Sequence, residues 1–238
     1  FLTYNLNLGW SYNTLNRPVF PTSGMSHRIN GEIALPGSDV EYQKLTYDAQ
    51  AYFPLAKDFV LRGYGKLGYG NDLPFYKNFY AGGFGSVRGY DNSTLGPKYP
   101  GVTYSESRSK DYDFEEVGGN ALIQFGTELA LPLPFKGDWT RQVRPVIFAE
   151  GAQVFDTQCD VPSGQLYMTG SKTDAGVDAK QYCKDNFGFE LDNMRYSVGV
   201  GFTWITMIGP LSLSYAYPLN DKEGDETKNI QFEIGRTF

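Results

Sequence analysis

Few residues in this chain are placed to do chemistry, and the densest group of them is an arginine motif. Within the segment 82–97, GGFGSVRGYDNSTLGP, the residues Val87, Arg88, Gly89 and Tyr90 follow one another inside a long polar insertion. A guanidinium is permanently charged and offers a planar fork of donors, so away from water it needs carboxylates or carbonyls to receive it. Gly82, Gly83, Gly85 and Gly89 permit a tight backbone path around it. On the residues alone two readings stand, a solvated loop arginine or a loop tucked into an interior.

Catalysis finds little support. The sole histidine, His27, falls on the apolar side of its run with no partner motif, so no nucleophile and base pair forms around it. Glu128 and Glu150 could be written as a glycosidase pair, yet nothing in the sequence supplies a sugar cleft. Cys159 and Cys183 are the only cysteines, too few for a metal site. Their Gly-, Asp- and Lys-rich surroundings read as an exposed loop closed by a disulfide in an oxidising compartment, the alternative being two thiols that merely lie near each other. The expectation is therefore a protein that is not an enzyme, with no metal and no cofactor.

The elements that must position these residues show themselves by period. From Leu2 to Tyr12 the even positions are Leu, Tyr, Leu, Leu, Trp and Tyr, and the odd ones Thr, Asn, Asn, Gly and Ser. Such alternation marks a strand with one apolar and one polar face. A turn over 16–24 ends it, and Met25, His27, Ile29, Ile33 and Leu35 then share a face. PGSD at 36–39 makes the next turn. Leu45, Tyr47, Ala49, Ala51 and Phe53 form a third set, and Phe59, Leu61, Leu67 and Tyr69 a fourth, opposite Arg62, Tyr64 and Lys66. The insertion from Asn71 to about Val117 follows. After it Ala121, Ile123, Phe125, Leu129 and Leu131 oppose Gln124, Gly126 and Glu128. The run Val143 to Phe155 is mixed on both faces, and a second long polar loop extends from Asp156 to about Asn193. Three regular runs close the chain, carrying Tyr196 to Trp204, Leu211 to Tyr217 and Ile230 to Phe238 on their apolar faces.

Nine or so strands of roughly 9–11 residues are long enough to cross a bilayer at a tilt. Connections after the fourth, sixth and eighth runs are long or strongly polar, and those after the third and seventh are brief, which is the outer-membrane pattern of long external loops and short periplasmic turns. A soluble β-sandwich also alternates, but its strands are about half this length. With 18 Tyr, 17 Phe and 28 Gly in 238 residues, the composition suits a membrane barrel although mean hydropathy is only −0.39. No apolar run is long enough for a transmembrane helix. A net charge of −6 without Lys/Arg runs excludes a nucleic-acid surface. The expected fold is all-β, a transmembrane antiparallel up-and-down β-barrel fragment of about nine strands with two long extracellular loops.

GGFGSVRGY, the NSTLGP after it, FYAGG before it, GGNA at 118–121 and the final IQFEIGRTF together resemble the C-terminal barrel of the BamA family of outer-membrane assembly factors, within a wider superfamily of insertases and secretion pores. The resemblance covers essentially the whole chain. It implies a sixteen-stranded parent barrel preceded by periplasmic POTRA domains, so residues 1–238 are expected to be an excised C-terminal part lacking those domains and the first barrel strands. It also implies that the arginine loop folds into the lumen and that Arg88 meets Glu128 and Glu150. The family more often has Asp where this chain has Glu150.

The last strand carries a second expectation. Gly235 weakens or bends it locally, and a seam between first and last strands is a template for an incoming strand. From the residues Phe232, Ile234, Gly235 and Phe238 belong equally to an ordinary closing strand or to a seam. The resemblance implies lateral opening there, with nascent β-barrel proteins as clients, accessory lipoproteins as partners of the full-length protein, and outer-membrane lipid around a bacterial outer-membrane barrel. A passive pore or secretion channel is the alternative function. Nine strands also leave two edges, at residues 2–12 and 230–238, which should close on each other as a small barrel or pair with a second copy.

Overall fold

The computed structural model describes residues 2–56, 58–101, 113–133, 137, 142–158, 187–207, 209–222 and 224–235. In chain order the strands are β1 (Asn5–Asn13), β2 (Gly24–Ala34), β3 (Gln43–Ala56), β4 (Phe59–Asn71), β5 (Gly89–Tyr90), β6 (Lys98–Gly101), β7 (Asp113–Glu116), β8 (Ala121–Ala130), β9 (Val143–Phe155), β10 (Arg195–Thr206), β11 (Gly209–Pro218), β12 (Thr227–Lys228) and β13 (Ile230–Ile234). Nine of them make one antiparallel sheet in the order β1-β2-β3-β4-β8-β9-β10-β11-β13. The other four are short loop strands, paired as β5 with β12 and β6 with β7. Every large strand therefore neighbours its predecessor once the loop strands are set aside, an up-and-down wall. No helix among the described residues is long and apolar enough to cross a membrane.

Register fixes which side chains share a face. Across β4 and β8, Leu61 lies opposite Leu129 and Leu67 opposite Ile123, whereas Arg62 lies opposite Glu128 and Lys66 opposite Gln124. A slip of one residue would exchange these two sets. The outer face stays apolar and exposed along its length: Val198, Val200, Phe202 and Trp204 on β10, Tyr215 and Tyr217 on β11, and Ile230, Phe232 and Ile234 on β13 are all exposed. An apolar surface this continuous has lipid as its natural solvent. The inner face is lined by Ser197 and Thr203 on β10 and Ser212 and Ser214 on β11, all buried.

β9 settles the run that was mixed on both faces. It is a full strand of 13 residues, and its inward positions Val146, Phe148, Ala152 and Val154 are buried. The insertion between β4 and β8 covers Ala152 and Val154, where Phe79, Ala81, Val87, Tyr90 and Leu95 pack with them and Leu122, and Val146 and Phe148 belong to a second cluster against which Phe84 of the insertion packs. The first turn, residues 14–23, behaves similarly at the opposite end. Leu15 packs against the cluster of Tyr52, Val60, Ala130, Val146, Phe148 and Ala216. Arg144 on β9 donates from Nη1 to the Pro21 carbonyl at 2.9 Å and lies over the Phe20 ring.

Three expectations are corrected or bounded. Of the expected last strand, 230–238, the described part is β13, Ile230–Ile234, followed by Gly235 with φ +99° and its N–H donating to the Pro210 carbonyl at 2.8 Å, and residues 236–238 lie outside the described residues. The sheet is open, with no pairing between β1 and β13 among the described residues, so closure into a small barrel is not seen. Phe238 and the Cys159–Cys183 pairing lie outside the described residues.

The outward placement of β10 gives a direct test. Val200 stands mid-strand on the apolar face, so Val200→Arg should cost about 2–4 kcal/mol when the barrel is folded in phospholipid vesicles. A denaturant titration of the folded fraction measures it, and a change within about 0.5 kcal/mol, as for an ordinary water-facing position, would contradict the assignment of this face to lipid.

Candidate functional site: a buried arginine between two wall carboxylates

The loop of residues 72–120 begins outside the wall and turns inward. Its path is set by glycines where side chains could not follow. Gly82, Gly83 and Gly85 have φ between +82° and +104°, and a Cβ on Gly83 would stand 1.8 Å from the Asn92 Oδ1. The Gly83 N–H donates to the carbonyls of both Val87 and Tyr90, closing the segment on itself. Ser86 Oγ donates to Gln124 Oε1 at 3.2 Å, and Gln124 Nε2 returns a bond to the Gly85 carbonyl at 3.0 Å. These contacts pin the loop to the inward face of β8.

Arg88 lies at the centre, 1% exposed. Its Nε and Nη2 donate to Glu150 Oε1 at 2.9 and 2.5 Å, and Nη2 also donates to Glu128 Oε1 at 2.7 Å. The Arg88 backbone N–H donates to Glu150 Oε2 at 2.8 Å. Glu150 thus grips both the side chain and the main chain of the same residue. Below the guanidinium the Phe148 ring lies with its centroid 3.4 Å from Cζ, a stacked cation–π contact. Burial works against the charged form of Arg88, but the carboxylates of Glu150 and Glu128 outweigh it and hold its pKa above the usual guanidinium value.

A second arginine completes the network. Arg62 on β4 donates to Glu128 Oε2 at 2.7 Å and to Gln50 Oε1 at 3.0 Å, and its guanidinium lies 4.4 Å from the Tyr64 ring centroid. The Tyr64 hydroxyl donates to Glu150 Oε1. Two guanidinia against two carboxylates leave the buried group neutral, the condition under which buried charge is tolerable. Both carboxylates are committed to guanidinium and phenol donors, so the arrangement acts as a fastener.

The flanking residues seat the tip. Val87 and Tyr90 are fully buried. Gly89 has φ +96°, and a Cβ there would come within 3.3 Å of Ala216 Cβ and 3.4 Å of Pro218. The Tyr90 hydroxyl donates to the Tyr196 carbonyl at 3.4 Å, and burial pushes its pKa up to about 12, keeping it protonated.

Of the site residues expected from sequence, Val87, Arg88, Gly89, Tyr90, Glu128 and Glu150 come together. Phe232 and Ile234 are exposed on the edge strand β13, with Gly235 just after it, and are not part of the arginine network. Arg62, Tyr64, Gln50 and Phe148 were missed. Their signal was parity: Arg62 and Tyr64 share the inward face of β4, and Phe148 stands two residues before Glu150. His27 is on the lipid side, bonded to the Tyr47 hydroxyl at 2.8 Å and stacked on its ring.

A wall of membrane-crossing antiparallel strands that receives its own external loop through a buried arginine defines an outer-membrane barrel with an internal tether. The Omp85 superfamily domain matches residues 1–238, and the chain belongs to that superfamily. It is 39% identical over 241 residues to the outer membrane protein assembly factor BamA of Neisseria meningitidis, covering 99% of this chain and 29% of that protein. It is 30% identical over 236 residues to the sorting and assembly machinery component 50 homolog of Mus musculus, covering 94% of this chain and 43% of that protein. Among solved structures, the crystal structure of BamA from Haemophilus ducreyi lacking POTRA domains 1–3 matches with a TM-score of 0.75 at 34% identity, over 96% of this chain and 41% of that one. The chain therefore spans less than half the length of these relatives.

Removing one partner of a buried pair strands the other. In the intact barrel, Arg88→Ala should cost about 3–5 kcal/mol and lower the temperature at which the folded band converts on unheated gels. Glu150→Gln should cost more than Glu128→Gln, because Glu150 alone takes the Arg88 main chain. Equal mobility and equal midpoints for wild type and Arg88→Ala would remove the tether.

Proposed function

We propose that this chain is the C-terminal part of the barrel of an outer-membrane insertase, which folds and inserts β-barrel proteins by opening laterally at its last strand and pairing that edge with client strands. The observation that carries this reading is the weakness of the closing strand. Among the described residues β13 is in register with β11 from Leu211–Ile234 to Tyr215–Ile230, extended by the Gly235–Pro210 and Asn229–Ala216 backbone bonds, a shorter ladder than that of β10 and β11, which pair from Ser197–Pro218 to Thr206–Gly209. Exposed backbone on such an edge is a ready template for another strand. The bacterial relatives, outer membrane protein assembly factors, agree with it. Clients are then nascent β-barrel proteins, the surroundings are bacterial outer-membrane lipid, and accessory assembly lipoproteins attach to the full-length protein. Its work is non-enzymatic and needs no cofactor.

A passive pore or secretion channel is favoured by one feature, a polar cavity of about 440 Å³ lined by residues including Arg28, Asp48, Arg62 and Lys66. Against it, the tethered loop occupies the inner face. Reconstitution separates the two. Full-length protein in liposomes should accelerate folding of an added unfolded β-barrel at least several-fold, and a disulfide locking the first and last strands should abolish the acceleration. Steady ion conductance without acceleration would favour the pore, and full activity with the seam locked would refute lateral opening.

A further inference from the structure

The loop tip that carries Arg88 is held from two sides, and the second side belongs to the closing strand. Gln231, on the inward face of β13 and buried, donates from Nε2 to the Tyr90 carbonyl at 2.6 Å. Just upstream, β12 pairs antiparallel with β5, Thr227 opposite Tyr90 and Lys228 opposite Gly89. The Asp91 N–H donates to the Glu226 carbonyl at 2.8 Å, and Lys228 Nζ stands 3.4 Å from the Asp91 carboxylate. Glu226 to Lys228 thus run alongside Gly89–Asp91 and Gln231 returns to Tyr90, while Asn229, which alone separates β12 from β13, bonds to Ala216 of β11.

We infer that Gln231 and β12 form a latch that couples the position of the closing strand to the Arg88 tether. This inference rests on the lateral-opening reading above. A strand that leaves its neighbour moves by roughly the 4.8 Å spacing of a sheet or more, which no hydrogen bond survives unchanged. When β13 shifts away from β11, it either breaks the Gln231–Tyr90 bond and the β5·β12 ladder or draws Gly89–Asp91 with it. Arg88, one residue before β5, is fixed to Glu128 and Glu150, so the strain falls on Gly89, the glycine with φ +96°. Gln231 brings little stabilisation of its own to oppose this, since its Oε1 is buried without a hydrogen-bond partner. Its role is to position the tip, and the tip in turn registers whether the seam is shut.

Spin labels test the coupling in the full-length protein in nanodiscs, with Cys159 and Cys183 replaced by serine. One pair, at positions 198 and 234, reports the closing strand; the other, at 198 and 93, reports the loop. The probe is a synthetic peptide with the sequence of residues 230–238, an alternating strand that can pair with an open edge. In wild type the peptide should shift both distance distributions together. In Gln231→Leu combined with Lys228→Pro, which removes the side-chain donor and the β12 backbone donor facing Gly89, the closing-strand shift should persist and the loop shift should fall by at least half. A loop label that stays still in wild type while the closing strand moves, or a loop shift unchanged in the double variant, overturns the latch and leaves lateral opening intact. A closing strand that does not move overturns lateral opening and the latch with it.

Discussion

A guanidinium enclosed by protein must find its counter-charge there, because water is not available to solvate it. That requirement organises this structure. Glu128 and Glu150 stand on neighbouring strands, and the β8–β9 register places Gly126 opposite Glu150 and Glu128 opposite Phe148. The two carboxylates are thus offset along the wall to receive Arg88 together, with an aromatic floor between. Gly126 leaves room for Tyr64, whose ring a Cβ there would meet at 2.4 Å, and Tyr64 supplies Glu150 with another donor. Arg62 balances the second carboxylate. The glycines of the loop, the inward apolar face of β9 and the β4–β8 pairing are all arranged so that these groups meet.

The outer surface obeys a different constraint. In hydrocarbon every backbone N–H and C=O must be paired within the protein, which the ladders from β2 to β11 achieve. Among the described residues β1 and β13 have no strand neighbour on their outer edges, so in lipid each needs a partner strand there. Within the nine-stranded wall, among the described residues, the shortest ladder lies between β11 and β13.

Much of this was legible in the sequence, and for identifiable reasons. Strands such as Leu2–Tyr12 or Tyr196–Trp204 alternate strictly because lipid lies on one side and polar contacts on the other. The pairing of Arg88 with Glu128 and Glu150 came from the resemblance of the motif, since loop residues carry no period that points to a partner strand. β9 was obscured because a loop covers it: Val146, Phe148 and Val154 face inward and are apolar, so the contrast between faces disappears. The inward fold of the 14–23 turn, with Phe20 at φ +50° and its bond from Arg144, has no local signature at all. The β5·β12 pair joins two dipeptides far apart in the chain, beyond what periodicity detects.

The sequence separations within the tether have a consequence for how the protein is built. Arg88 lies 40 residues before Glu128, 62 before Glu150, and Tyr90 lies 141 before Gln231. Before β8, β9 and β13 form, none of these anchors exists, and closing so long a separation is entropically unfavourable until the intervening strands stand in order. Arg88 can be seated only once β8 and β9 supply Glu128 and Glu150. A seated arginine therefore reports that β8 and β9 already stand side by side.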